Sequence, residues 1–293
     1  MRILAGFVAS VMLLAATGAT GAQPKPAQAT PADEVFKAEQ DFDAYTAEHG
    51  ITVGFHAYST PDAIAFRPEA VRIHERLGDL IAKGEGGKDA PSKLRWRPYR
   101  VAVAASGDMA WDLGPWTIEG TDRAGWFFTV WQKQADGRWL WPLDTGAGAA
   151  PAAKLPPMGA RETISYGRTT AVDPTAAASV ATREAELNAA LTATPATEAY
   201  EDFLIDDMTF VGGGEAPVTR KKDVAVRLGT RPQGLTWIAV GNGQSKAGDM
   251  VYTYGHVTDA SGVHRGHYVR VWNRFGKKPA DWKLTVDIYN SDK

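Results

Sequence analysis

Two similar stretches decide the fold of this chain: SGDMAWDLGPW at residues 106–116 and AGDMVYTYGHV at residues 247–257. Matching stretches flank both of them. LRW (94–96) and GWFFTVW (125–131) flank the first, and LTW (235–237) and GHYVRVW (266–272) flank the second. Leu94 and Leu235, Gly107 and Gly248, and Gly125 and Gly266 are each 141 residues apart, so the three pairs align without a gap. Such a repeat predicts two copies of one domain.

The repeat also sets the expected domain boundaries. Weaker matches extend it to Ala38-Glu39 with Ala185-Glu186, Phe66 with Phe210, Trp139 with Trp282, and Asp144 with Asp287. We expect the first copy over 33–146 and the second over 181–290, and a chain of 293 residues suits two domains. Residues 147–180 are rich in Ala, Pro, Gly and Thr, which predicts a linker with at most a short extended piece around 163–168.

Composition narrows the class of protein. The chain is 44% hydrophobic and 23% charged, as in an ordinary globular protein. Its net charge of −2, without a block of like charge, argues against nucleic-acid binding, which needs a basic surface. The absence of cysteine excludes disulfides, thiolate metal sites, cysteine nucleophiles and a lipid-modified cysteine. Ten Trp and 30 Gly indicate curved, aromatic-lined β-structure.

The N-terminus has the three parts of a secretory signal. Met1-Arg2 is a basic start, residues 3–16 are apolar, and small residues follow as far as Ala22. The apolar run is shorter than the roughly 20 residues that a membrane-spanning helix needs. We expect a signal peptide at 1–22, a Pro- and Ala-rich spacer at 23–32, and a periplasmic or secreted protein that has no membrane attachment after signal cleavage.

Periodicity predicts helices first and strands afterwards. In the first copy, helical spacing runs from Asp33 toward Gly50 and again over 53–58. A short strand is expected at 64–66 and a helix at 69–83. From Leu94 onward, runs rich in Val, Trp, Phe and Thr are separated by Gly-containing turns, which predicts consecutive antiparallel strands. The order of these elements indicates an α+β fold.

This order of motifs resembles the nuclear transport factor 2-like superfamily, which includes ketosteroid isomerase, scytalone dehydratase and the SnoaL-like polyketide cyclases. The resemblance lies in Phe-Arg-Pro (66–68), Gly-Asp (107–108), the aromatic run 125–131 and Asp-Gly-Arg-Trp (136–139). It covers 33–146 well and 181–290 more loosely, and is closest to an uncharacterised bacterial domain family that often follows a signal peptide. It implies two tandem cone-shaped domains of the cystatin-like kind, each with helices packed on a strongly curved antiparallel sheet around an apolar pocket.

Hairpin geometry predicts the strand pairing. A turn centred on Gly120-Thr121 pairs Asp112 with Thr129 and Gly114 with Phe127. A turn centred on Ser261-Gly262 pairs Thr253 with Arg270 and His256 with His267. In the isomerase-like relatives, a pocket-facing acid lies two residues before the aromatic residue that matches Trp131. The resemblance therefore implies that Asp112, Thr129 and Trp131 face the first pocket, and that Arg270 and Trp272 face the second.

Asp112 and His56 are the candidates for proton transfer. A carboxyl group among Trp116, Trp131 and Phe127 would have a raised pKa and could move protons. His56 belongs to a short helix near the predicted mouth, and scytalone dehydratase uses a histidine as a base. The alternative for both residues is a purely structural role, as a hydrogen-bonded strand aspartate and a partly buried histidine.

The mechanism of ketosteroid isomerase is not supported by this sequence. That mechanism needs an aspartate base immediately before proline and a protonated acid in an oxyanion hole. Here Arg67 precedes Pro68, and Thr129 stands at the position of the acid. In the second copy, Val211-Gly212 is no better match.

The expected ligand-binding residues are aromatic or polar side chains on the concave faces. They are Trp116, Phe127, Thr129, Trp131 and Arg67 in the first copy, and Tyr268, Arg270 and Trp272 in the second. Arg270 either anchors a ligand carboxylate or pairs with a structural acid such as Asp287. His256 and His267 would supply only two metal ligands, so neither a metal nor another cofactor is expected.

The outer faces of the two sheets are also apolar. Trp126, Phe128 and Val130 have the opposite parity to the pocket residues, as do Val269 and Val271. A sheet with one face in water would carry polar residues there. We expect the two outer faces to pack on each other as an intramolecular pseudo-dimer.

Three functions remain open from the sequence. The favoured one is binding of a small apolar or amphipathic molecule in a cone-shaped pocket. The first alternative is a cofactor-free isomerase, dehydratase or cyclase that uses Asp112 or His56, and the second is a structural interaction module. The motifs of the resemblance are mostly structural, so they predict the fold and leave the reaction open.

Overall fold

The computed structural model describes residues 29–149, 155–166, 171–212 and 214–292. They form two α+β units in succession, each with its own sheet. The predicted signal peptide lies outside the described residues, and so does most of the spacer. The helices are α1 (Pro31–His49), α2 (Ile51–Tyr58) and α3 (His74–Ala82) in the first unit, and α4 (Ala176–Ala193), α5 (Ala196–Ala199) and α6 (Lys221–Leu228) in the second.

The two sheets share one strand order, apart from two short strands of the first sheet. The first unit contains β1 (Ser59–Phe66), β2 (Ala70–Arg72), β3 (Leu94–Trp96), β4 (Arg100–Val103), β5 (Met109–Ile118), β6 (Ala124–Lys133) and β7 (Trp139–Ala149), and β8 (Glu162–Ile164) follows. The second contains β9 (Leu204–Val211), β10 (Val218–Arg220), β11 (Thr236–Gln244), β12 (Met250–Thr258), β13 (His264–Arg274) and β14 (Trp282–Ser291). The orders are β2-β1-β7-β6-β5-β4-β8 and β10-β9-β14-β13-β12-β11. The two differences are β8 at one edge of the first sheet and β3, which pairs with β5 beside that path. The predicted α+β class is confirmed.

The long hairpins have the register that the turns predict. Asp112 lies opposite Thr129 and Gly114 opposite Phe127 in the first sheet. Thr253 lies opposite Arg270 and His256 opposite His267 in the second sheet. Side chains alternate between the two faces of a strand, so this register decides which residues enter each cone.

The helical half of the first unit departs from the sequence prediction at three places. Thr30 caps α1, and Asp33 is the third helical residue, where it completes a capping box with Thr30. β1 begins at Ser59, so it includes Pro61. The strand tolerates proline here because at this point it pairs only with β7, on one side. Ala70–Arg72 forms β2 against β1, so α3 begins only at His74.

The segment between the units is partly structured. β7 continues to Ala149, and α4 begins at Ala176, so the regular structure of each unit extends a few residues into the predicted linker. Within that segment, Glu162–Ile164 pairs in parallel with β4 at the edge of the first sheet. The buried Arg100 on β4 links this segment to both units. Its Nη1 lies 2.6 Å from Glu162 on β8, and its Nε lies 3.1 Å from Thr209 Oγ1 on β9.

The outer faces of the two sheets are in contact. One buried apolar cluster combines residues of both units: Trp111, Leu113, Trp126, Phe128, Val130 and Leu143 from the first, and Val211, Met250, Tyr252, Val269, Val271, Val286 and Ile288 from the second. His267 stacks on Phe66 across this contact, with the ring centroids 4.0 Å apart, and its Nε2 is 3.1 Å from Thr145 Oγ1. Burial of both faces explains why they are apolar.

Two aspartates exchange hydrogen bonds between the units. Asp108 accepts from the backbone N–H of Lys246 at 3.1 Å, and Asp249 accepts from the backbone N–H of Ala105 at 2.7 Å. These four positions are related by the same repeat, because Asp108 and Asp249 occupy equivalent Gly-Asp turns. The contact is therefore close to a two-fold interface, in which each copy presents the same surface to the other.

No helix within the described ranges combines the length and the hydropathy that a membrane span requires.

Candidate functional site

The first cone contains an open cavity with mostly apolar walls. Its wider part has a volume of about 720 Å³ and lies between α2, α3, β1 and β7. A second part of about 330 Å³ reaches toward the inner face of the sheet. Both parts are bounded by Phe55, Trp116, Asp144, Thr145 and Gly146, so they meet at Asp144. The size and the lining are those of a small-molecule pocket.

Three carboxyl groups meet below this cavity. Trp131 Nε1 lies 3.1 Å from Glu39 Oε2 and 3.0 Å from Asp112 Oδ1, and Trp96 Nε1 also donates to Glu39. Asp144 accepts a hydrogen bond of 2.7 Å from Thr129 Oγ1. No basic side chain forms an ion pair with any of the three in the described part of the chain.

Burial changes the protonation of this group. Desolvation raises the pKa of Asp144 to about 7 and that of Asp112 to about 8. Desolvation, together with the neighbouring Asp112 carboxyl, raises the pKa of Glu39 well above its usual range. Glu39 and Asp112 are therefore largely uncharged at neutral pH, whereas Asp144, the carboxyl that reaches the cavity, is partly ionised there.

Three of the predicted binding residues of the first copy line the cavity. Trp116 bounds both parts, Phe127 bounds the inner part, and Arg67 lies at the rim of the wider part. Thr129 and Trp131 face the concave side as expected, yet they are fully buried and orient the carboxyl groups.

The two predicted proton-transfer residues do not bound the cavity. Asp112 is fully buried, and its carboxyl is held by Trp131 below the cavity. His56 lies on α2 but stacks on His74, with ring centroids 4.2 Å apart, because the helical period directs Phe55 inward and His56 toward α3. The contacts of both residues are those expected for the structural alternative, and their part in proton transfer stays a prediction.

Side chains of the protein itself fill the second cone. Arg270 is fully buried and lies 3.1 Å from Glu184 Oε1, 3.0 Å from Asn188 Oδ1 and 3.3 Å from Tyr200 Oη. Asp287 accepts from Tyr200, and Arg231 Nη1 lies 3.3 Å from Asp287 Oδ2. The structural pairing of Arg270, which the sequence left open against a ligand role, is the one present.

Tyr268 and Trp272 belong to the same filled interior. The guanidinium carbon of Arg270 lies 4.7 Å from the ring centroid of Tyr268, and Trp272 Nε1 donates to Glu184 Oε2 at 3.1 Å. Two pockets lie in the second unit, one of about 310 Å³ beside Arg231 and Tyr289 and one of about 240 Å³ beside Glu184 and Asn188. Tyr268, Arg270 and Trp272 line neither of them.

The two cones can be compared position by position. Thr129 opposite Asp144 corresponds to Arg270 opposite Asp287 in the strand register. Glu39 and Glu184 correspond, because each accepts from the tryptophan Nε1 at the same place in the repeat. The sequence alignment of Glu39 with Glu186 was therefore two residues out, since Glu186 is the surface partner of Arg183.

No protein-family model matches the chain, and no curated protein matches its sequence. Solved structures do match it, each over about 40% of its length. A conserved protein from Planctomyces limnophilus is 16% identical, covers 40% of this chain and 97% of its own, and gives a TM-score of 0.30. A Nostoc punctiforme protein of unknown function with a cystatin-like fold is 13% identical, covers 42% of this chain and 95% of its own, and gives a TM-score of 0.34. A nuclear transport factor 2-like protein of unknown function from Shewanella oneidensis is 14% identical, covers 40% of this chain and 98% of its own, and gives a TM-score of 0.33.

Two of these similar structures are described as having a cystatin-like fold and as nuclear transport factor 2-like. The α+β fold itself rests on the strand orders and registers of this chain.

Sequence reasoning missed two residues of the site. Asp144 and Glu39 were noticed only as repeat matches and were not assigned to the pocket. The pairing of β6 with β7 brings Asp144 beside Thr129, and this pairing contains irregularities that hairpin counting does not foresee. The repeat is the signal that could have found Asp144, because Asp144 and Asp287 lie opposite equivalent positions of the neighbouring strand, Thr129 and Arg270.

Proposed function

We propose that this protein is periplasmic or secreted and binds a small apolar or amphipathic molecule in the cone of its first unit. One observation carries the proposal. The first cone contains an open, mostly apolar cavity with a carboxyl group at its floor, while Arg270, Glu184, Tyr200 and Asp287 occupy the corresponding space in the second unit.

The lining suits a ligand that is mainly apolar with one polar group. Phe42, Phe55, Trp96, Trp116 and Phe127 provide aromatic surface around the inner part. Burial of a ligand against such rings is the main source of affinity in small-molecule sites, and a few polar groups fix its orientation. Asp144 and Thr145 supply polar groups at the floor.

A second candidate is a cofactor-free isomerase, dehydratase or cyclase. It is favoured by the raised pKa of Asp144, about 7, in a carboxyl that bounds the cavity. A general acid or base works best with a pKa near the operating pH. In this reading the proton-transfer residue is Asp144, and Asp112 and His56 have no contact with the cavity. A purely structural role fits the second unit, whose interior is filled.

Binding is tested with the neutral fluorophore N-phenyl-1-naphthylamine and a variant that fills the cavity. Gly146 bounds both parts of the cavity, and a Cβ atom placed there would meet no other atom within 4 Å. Gly146→Leu should therefore fold normally and lower the affinity for the fluorophore by at least about tenfold, because leucine occupies the space of the ligand. The measurement is a fluorescence titration.

Gly87→Leu is the matched control. Gly87 is exposed, and a Cβ atom there would meet only the His49 carbonyl oxygen, at 3.9 Å. The control should bind the fluorophore as the unmodified protein does. Equal affinity of the unmodified protein and Gly146→Leu, or no binding at all, would contradict the proposal.

A further inference from the structure

The second cone shows which chemical group this arrangement of residues holds. The guanidinium of Arg270 lies between acidic and aromatic side chains, 3.1 Å from Glu184 and 3.8 Å from Asp287. Its guanidinium carbon lies 4.7 Å from the ring centroids of both Trp237 and Tyr268. Two carboxyl groups and two aromatic faces around one cation form a cage for positive charge.

The first cone keeps the walls of this cage and lacks the cation. Glu39 and Asp144 stand where the second cone has Glu184 and Asp287. Trp96 and Phe127 stand where it has Trp237 and Tyr268, at the repeat distance of 141 residues, and both bound the inner cavity. Arg270 is replaced by Thr129, which is much shorter, and open space remains in front of Asp144, while Glu39 lies buried behind it.

One carboxylate oxygen is available on the cavity side. Asp144 Oδ2 accepts from Thr129, and Oδ1 has no hydrogen bond in the described part of the structure. In the second cone, Asp287 Oδ2 accepts from Tyr200 and also faces Arg231. Asp287 Oδ1 likewise has no hydrogen bond, but it is buried, whereas Asp144 bounds the cavity, so a ligand in the first cone can reach the free oxygen of Asp144.

We infer that the first cone binds an amphiphilic cation, whose protonated amine or guanidinium group takes the place of the missing Arg270 side chain beside Asp144. The inference rests on the proposed function, and it names the class of ligand. The apolar part of the ligand lies against Phe55, Trp116 and the wider cavity.

The other charges around the cavity do not remove this preference. Arg67 and Arg76 at the wider part and Arg123 at the inner part are exposed, so water and salt screen their charges. His267 also bounds the wider part, and burial lowers its pKa to about 4, so it is neutral at pH 6 and above. The remaining groups that face Asp144 are Thr129, Asp112 and Glu39.

Cation binding should depend on pH through Asp144. A cation favours the carboxylate, whereas burial raises the pKa of Asp144 to about 7, so at lower pH a bound cation must displace a proton. Affinity for an amine should therefore be about tenfold weaker at pH 6 than at pH 8, and the affinity of a neutral analogue should not change.

The test uses three probes of one shape: hexylamine, 1-hexanol and hexanoate. Each displaces N-phenyl-1-naphthylamine from the full chain at pH 8 and at pH 6. Hexylamine should displace the fluorophore at a concentration about tenfold lower than 1-hexanol at pH 8, and this advantage should disappear at pH 6. Asp144→Asn should remove the advantage at pH 8 while the fluorophore still binds.

Asp206→Asn is the matched control, because Asp206 is exposed on β9 of the second unit, and it should behave as the unmodified protein. If the fluorophore binds and hexylamine is no better than 1-hexanol at pH 8, the inference is wrong and the proposed function stands. Stronger displacement by hexanoate would likewise overturn it, in favour of an anion at the rim arginines. Failure of the fluorophore to bind would instead overturn the proposed function.

Discussion

The buried carboxyl groups of the two units are stabilised in different ways. In the second cone, Arg270 and Arg231 offset the charges of Glu184 and Asp287. In the first cone, no cation of the described residues pairs with Glu39, Asp112 or Asp144, and burial raises the pKa of each. Burial favours the protonated form of these three carboxyl groups, so the stability of the first unit must depend on pH.

Asp112 allows this dependence to be measured. Its pKa is about 8 in the folded protein and lies near its usual value in the unfolded chain, so the folded state binds the extra proton between these values. This group therefore makes the protein progressively less stable as the pH rises from about 4 to about 8. Asp112→Asn keeps the acceptor for Trp131 and cannot ionise. We expect it to raise the melting temperature at pH 8 by roughly 2–4 °C for each 1 kcal/mol gained.

Calorimetry of both proteins from pH 5 to pH 8 checks this expectation. The variant should lose less stability than the unmodified protein over that range, and Asp206→Asn should follow the unmodified protein. A variant that is destabilised equally at every pH would show that Asp112 is needed as a carboxyl for packing, and not that its ionisation is costly.

At the scale of the elements, a glycine in each sheet lets two chain segments cross closely. A side chain at Gly114 on β5 would place its Cβ 1.9 Å from the Arg97 carbonyl oxygen, and one at Gly255 on β12 would place it 2.0 Å from the Ile238 carbonyl oxygen. The two positions are equivalent in the repeat. The close approach lets the neighbouring chain bend across the central strand, and this bend helps to shape the cone.

Gly114→Ala should therefore disturb the pairing of β5 with the segment before β4. The added methyl group overlaps backbone atoms that cannot move away, so we expect a loss of about 1–3 kcal/mol in the free energy of unfolding. Gly146→Ala is the matched control, since its methyl group meets no atom within 4 Å, and it should change stability by less than about 0.5 kcal/mol. Urea unfolding curves measure both, and equal losses would refute the role given to Gly114.

At the scale of the whole molecule, the contact between the units depends on reciprocal hydrogen bonds as well as apolar packing. Asp249 is fully buried, accepts from Ala105 of the other unit and also from Ser245 Oγ at 2.7 Å. Loss of its carboxylate would leave these donors without an acceptor in a buried interface.

Asp249→Ala should cost about 1–3 kcal/mol, the usual penalty for leaving buried donors unsatisfied. Asp136→Ala is a suitable control, because Asp136 also accepts hydrogen bonds in a hairpin turn but is exposed and lies away from the contact. That change should cost less than about 1 kcal/mol. The midpoint of urea unfolding is the readout, and equal midpoints for the two variants would show that the exchange between units adds no stability.

Much of this architecture follows from sequence patterns, and the missing parts have identifiable physical causes. The repeat, the hairpin turns and the apolar outer faces predicted two units of α+β class, the pairing of Asp112 with Thr129, and the faces that meet. The patterns did not distinguish residues that bound a cavity from those buried beneath it, because Asp112 and Thr129 share the concave parity with residues that line it. That distinction depends on the volumes of Trp131 and Arg270, which fill space in three dimensions.

The short strand β8 has a consequence for association between molecules. Unpaired strand edges recruit other chains, and β8 occupies the edge that β4 would otherwise present over Arg100–Val103. The segment that connects the units thus also shields one of them from strand addition. Among the described residues, no further strand covers the corresponding edge of the second sheet, and the edge strand β11 exposes Ile238 and Val240. Any aggregation by edge-to-edge pairing should therefore begin at β11.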